Sequence, residues 1–177
     1  MTLFTIAWIL IFFDWNIYLT ETAALGLLPD FIGWLLLWLV LHLQKQKSTV
    51  LHMAWRWLCP IMAGLTGLRY FVDALGLIGD VGIAAGCLLG LAFGLPAVIM
   101  AALLLQDWMP KTEDTDPRLC RLFFWMLAAG EAGTYLLLFE PFLALIPLLA
   151  ALVGKVGLYV CLRPAAKRLL VSKKKKR

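Results

Sequence analysis

The chain has 177 residues, of which 63% are hydrophobic and only 15% charged, with 16 lysines and arginines against 11 acidic residues. A soluble domain is about half apolar, and no soluble core needs runs as long as 31–43 and 81–105, so the composition argues against a soluble enzyme and for an integral membrane protein. At about 20 apolar residues per crossing, about six spans account for the sequence and leave no room in it for a soluble domain.

The first span is expected over residues 2–19. Its apolar run is short enough to suggest a signal peptide, but no basic residue precedes it and Asp14 follows it directly, so it reads as a retained helix. Polar and aromatic residues then alternate through Asp14, Trp15, Asn16 and Tyr18, as they do at a membrane interface. The second span, 30–44, opens on Pro29 and Asp30, where a carboxylate at the N-cap accepts backbone N–H bonds and complements the helix dipole. Lys45 and Lys47 close it.

Ser48 or Thr49 can cap the third span, 49–72, whose first turns carry His52, Trp55, Arg56 and Trp57. Pro60 is expected to kink this helix rather than end it, and Arg69 lies near its far end. The fourth span, 81–106, carries Gly82, Gly86, Gly90 and Gly94 at four-residue spacing, a stripe that lets a neighbouring helix backbone approach closely. After the polar loop 106–118, the fifth span, 119–139, contains Glu131. Glu140 and Pro141 open the sixth, 141–162, with proline in the first turn, where helices tolerate it. That span contains Lys155 and leaves at Arg163 and Pro164 into a basic tail, 164–177, ending Lys173, Lys174, Lys175, Lys176, Arg177.

The expected fold is all-α: a polytopic bundle with its spans in three helical hairpins. Lysine and arginine are retained on the cytoplasmic side. Of the 16 basic residues only Arg69 lies near a turn on the opposite side, which places both termini inside and Asp14, Glu21, Asp30, Asp73, Asp80 and Glu140 outside. A shift of about fifty positions also lays Leu25-Gly26-Leu27-Leu28-Pro29-Asp30 on Leu75-Gly76-Leu77-Ile78-Gly79-Asp80, the mark of a candidate hairpin repeat.

Phe12-Phe13-Asp14-Trp15-Asn16-Ile17 followed by Leu27-Leu28-Pro29-Asp30-Phe31-Ile32-Gly33-Trp34 resembles the N-terminal signature of a family of small, functionally uncharacterised bacterial membrane proteins. In that signature a D-x-N-I element ends the first helix and an L-P-D-F-I-G-aromatic element opens the second. Trp34 stands where tyrosine is the commoner residue. The resemblance covers about the first quarter of the chain. It implies the bacterial cytoplasmic membrane and supplies no catalytic residue.

Asp14, Asn16 and Asp30 lie at adjoining helix ends and form a candidate outer polar site for a cation or amine; the simpler reading makes them caps that satisfy turn backbone. Asp80 and Glu140 read the same way. Glu131, about 18 Å along its helix from Leu119, needs a partner, and Arg69, which could pair with either Glu131 or Asp14, is the expected one. Lys155 is expected to run its stem toward the inner surface. Cys59, Cys87, Cys120 and Cys161 are spread singly and read as small buried hydrophobes, and His42 and His52 as interfacial residues rather than ligands, so neither a metal nor a cofactor is expected.

The terminal run Lys173 to Arg177 is expected to attract anionic lipid headgroups, with nucleic acid the less economical partner. Without a base–nucleophile pair in any span, catalysis is not expected. A non-enzymatic protein acting through helix packing with lipid or a membrane-protein partner, or as a homo-oligomer through its fourth helix, is therefore the leading expectation. The alternative is a small transporter or channel-like protein for a cation or proton, using Asp14, Asp30, Arg69 and Glu131.

Overall fold

The computed structural model describes residues 2–13, 16–18, 24–26, 29–44, 51, 54–75, 83–109, 115–136 and 141–171. Among these the chain is helical apart from one short two-stranded ladder. The helices are α1 (Thr2–Phe12), α2 (Asp30–Gln44), α3 (Cys59–Ala74), α4 (Ile83–Trp108), α5 (Pro117–Leu136) and α6 (Pro141–Val171). They fall into two compact units, an N-terminal one over Thr2–Gly82 and a C-terminal one over Ile83–Arg177.

In the N-terminal unit α1 ends at Phe12, well short of the expected position 19. Asn16–Tyr18 (β1) instead pairs antiparallel with Ala24–Gly26 (β2), Ile17 opposite Leu25. Asp14 and Asn16 are weak helix formers, whereas Ile17 and Tyr18 suit a strand, and the ladder gives this backbone partners that an isolated turn would lack. At 11 residues α1 is short, about 16 Å long, roughly half the hydrocarbon thickness of a bilayer.

The 30–34 stretch holds this unit together. Asp30 opens α2, and Ile32 N–H donates to Pro29 O at 3.0 Å. Phe31 lies 3.5 Å from where a Cβ on Gly67 of α3 would stand, and meets Tyr70 edge-on at 5.6 Å. Gly33 faces the other way: a Cβ there would lie 2.8 Å from Leu10 Cβ and 3.0 Å from Ile11 N, so α1 rests directly on the α2 backbone. Trp34, Leu37 and Leu41 are buried, and on α1 Trp8 stacks on Phe12 at 4.2 Å and meets Phe4 at a tilt. On α3, Cys59, Met62, Ala63, Thr66 and Gly67 form the buried face, and Thr66 Oγ1 donates to Met62 O at 2.6 Å.

Ahead of α3, residues Ala54–Leu58 form a π-helical turn, and Pro60 sits in the first turn of α3 itself. Proline has no N–H to donate, and its ring crowds the carbonyl four residues back. The wider i→i+5 turn relieves both problems while the helical path continues. Pro60 therefore marks a junction between two kinds of helix, a more specific arrangement than the expected kink.

In the C-terminal unit α5 starts two residues earlier than expected because Asp116 caps it. Asp116 Oδ1 accepts from Arg118 N at 2.9 Å and its carbonyl from Cys120 N at 3.2 Å, with Pro117 as the first helical residue. Helix α6 runs 31 residues, through Pro164 to Val171, about 46 Å. The tail expected from 164 is thus helical as far as 171. Ala165 and Ala166, strong helix formers and fully buried, favour continuing by more than the one hydrogen bond Pro164 forfeits.

The antiparallel α5/α6 pair is packed through glycine. A Cβ on Gly154 would lie 2.5 Å from Leu127 N and 2.8 Å from Phe123 O, and one on Gly130 would lie 2.6 Å from Pro147 O. Gly157 lies under the Phe123 ring and Gly133 against Pro147. Among the glycines whose surroundings are described, those of this pair make the closest backbone approaches. Of the glycine stripe anticipated on the fourth helix, Gly90 and Gly94 are only half-buried, Gly86 lies within α4, and Gly82 is outside the described residues. Among the described residues, two helical stretches are long and apolar enough to cross a membrane, Leu88–Trp108 and Phe142–Arg168.

Candidate functional site

The most chemically distinctive feature of the C-terminal unit is an ion pair within the glycine seam. Glu131 Oε1 and Lys155 Nζ are 2.6 Å apart, with side chains only 17% and 20% exposed. Helix geometry explains why these two meet. A long side chain leans toward the N-terminus of its own helix, so Lys155 covers the turn at Ala151, and Ala151 is the residue packed against Gly130. The seam brings the ammonium to the level of the carboxylate one residue along α5. Thr134 closes the same turn, its hydroxyl donating to Gly130 O at 2.7 Å.

This corrects two expectations. Glu131 is partnered by Lys155 rather than by Arg69, and Lys155 reaches back along α6 toward Glu131 rather than onward to the helix end. The backward lean of helical side chains was the signal available in the sequence, together with the Ala151, Gly154, Gly157 spacing that marks the packed face. Arg69 pairs within its own helix, Nε to Asp73 Oδ2 at 3.3 Å, where both side chains are a third or more exposed.

The candidate outer polar site is only partly described. Asp30 is the first residue of α2, and its Oδ1 is buried. Asn16 is in β1, opposite Gly26, and Asp14 lies outside the described residues. Arg69 is in the N-terminal unit with Asp30, and Glu131 in the C-terminal unit. Asp80, Glu140, His52 and the basic run Lys173, Lys174, Lys175, Lys176, Arg177 also lie outside the described residues. His42 stacks on Trp38 at 5.5 Å.

Two further features were missed from the sequence. Cys120 on α5 and Cys161 on α6, read as singly spread hydrophobes, are both buried and free, and near enough for their thiols to interact. A cleft of about 490 Å³ also opens between the end of α4 and the start of α5, with Gln106 and Arg121 on its wall. Chemically, the Glu131–Lys155 arrangement neutralises two charges in an apolar helix pair and fixes their register. Among the described residues no three of His, Cys, Asp and Glu gather into a metal-binding group.

Comparison with protein-family models, curated proteins and solved structures gives no match to this chain.

Proposed function

We propose that this chain is a non-enzymatic integral membrane protein of the bacterial cytoplasmic membrane that works through helix packing, against lipid and against a membrane-protein partner. In this reading it crosses about six times, in three hairpins, with both termini inside. The observation that carries it is the chemistry of the outward helix faces. Helix α3 buries Met62, Thr66 and Gly67 on one side, yet its other side presents Ile61, Leu65, Leu68 and Phe71; on α6, Phe142 is 91% and Ile146 71% exposed. A surface helix in water turns polar residues outward, whereas one that is apolar all round needs lipid or a large core.

The remaining polar features agree with that setting. A carboxylate and an ammonium inside a span are expected to face another helix and pair, as Glu131 and Lys155 do. The β1–β2 ladder joins the first two spans at the outer surface and pairs backbone groups that lipid would leave unsatisfied.

Reconstitution of the purified chain in liposomes tests this against the second reading, a cation or proton pathway through Glu131. Neither wild type nor Glu131→Gln should pass protons or monovalent cations faster than protein-free liposomes. A wild-type flux abolished by Glu131→Gln would replace the packing role with the transport one.

A further inference from the structure

The cleft at the polar end of α4 and α5 has the chemistry of an amphiphile site. Along α4, Ala102 and Leu105 come before Gln106; along α5, Phe124 lies one turn deeper than Arg121. On both helices apolar wall leads from the polar group into the helix pair, and Met109 and Pro117 form the loop-side rim. The volume of about 490 Å³ is that of a small-molecule site. We propose that this cleft binds the anionic headgroup of a membrane phospholipid, with Arg121 and Gln106 on the phosphate and an acyl chain along Ala102, Leu105 and Phe124.

Charge and geometry both favour that occupant. The guanidinium of Arg121 presents a planar fork suited to phosphate oxygens, and the Gln106 amide adds a donor. Among the described residues Arg121 has no salt-bridge partner. Among the described residues the nearby acids are placed elsewhere: Asp116 caps α5, and Asp107 points about 100° around α4 from Gln106. A free anion would use only the mouth and leave the apolar wall wet, whereas a lipid covers both. Basic pockets between helices on the cytoplasmic side are the places where such headgroups settle, and the 106–118 loop lies on that side. The proposal rests on the membrane reading above.

The test places the full chain in nanodiscs of phosphatidylcholine doped with photoactivatable phosphatidylglycerol or, in parallel, photoactivatable phosphatidylcholine, with adducts mapped by peptide mass spectrometry. Phosphatidylglycerol should label residues 102–124 several-fold more than phosphatidylcholine. Arg121→Gln should remove that excess without changing adducts on the lysine-rich end, and Ala102→Phe, which fills the cleft and leaves the charge, should remove it too. Excess inorganic phosphate should not compete. Equal labelling by the two lipids, an excess that survives Arg121→Gln, or displacement by phosphate would overturn the proposal. A chain that fails to enter nanodiscs at all would instead overturn the membrane reading, and this site with it.

Discussion

Glu131 and Lys155 stabilise the α5/α6 pair only together. Removing one partner leaves a charge in apolar surroundings, and breaking a buried pair costs about 3–5 kcal/mol. Because each side chain keeps about a fifth of its exposure, the lower end is expected for Glu131→Gln or Lys155→Met alone. The double variant should recover most of the loss, since it leaves no unpaired charge; equilibrium unfolding in mixed micelles gives the full cycle, and additive single losses would refute the coupling. The glycines supply a second contrast. Gly64 has nothing within 4 Å of a Cβ position, so Gly64→Ala should gain about 0.5–1 kcal/mol from helix propensity. Gly154→Ala meets the Leu127 backbone, which cannot rotate away, and should lose about 1–3 kcal/mol in the same assay.

Several helix boundaries have an identifiable cause, and these causes differ in how visible they are beforehand. Asp116 caps α5 through the Arg118 N–H, so Asp116→Ala should lower stability by about 1 kcal/mol, read as a fall in thermal midpoint. That cap, an acid before a proline, is legible from residue types alone, as is Asp30 in the first turn of α2. The positions of all six helices are legible for the same reason: apolar runs separated by charge and proline. Three outcomes were not legible. The shift from helix to ladder at Asn16 depends on pairing with Ala24–Gly26, a contact no local pattern announces. The continuation of α6 past Pro164 depends on the burial of Ala165 and Ala166. The partner of Glu131 depends on the register of α5 against α6, which Gly130 and Gly154 set by contact between backbones. Within the Leu27 to Trp34 stretch the individual roles also emerge only from packing. Phe31 meets α3, Gly33 meets α1, and Trp34 fills the space under α2.

For the molecule as a whole, the distribution of basic residues makes topology the most direct check on the proposed function. Cysteines introduced singly into a cysteine-free chain at positions 46 and 112 should react with a membrane-impermeant reagent only after the membrane is opened, and one at position 78 in intact cells. Labelling of position 112 from outside would invert the hairpins and remove the cytoplasmic side on which the lipid site depends. The α5/α6 seam also bears on how such a chain is made. A lysine near the middle of a span disfavours insertion by about 2.5–3.5 kcal/mol, and Lys155 belongs to a helix made after α5. Its carboxylate partner is already present on α5, synthesised just before, and the glycine faces let the two helices close without an intervening side chain. On the proposed membrane reading the hairpin, rather than the single helix, is the expected unit of insertion, and α6 stripped of α5 should insert less efficiently than the pair.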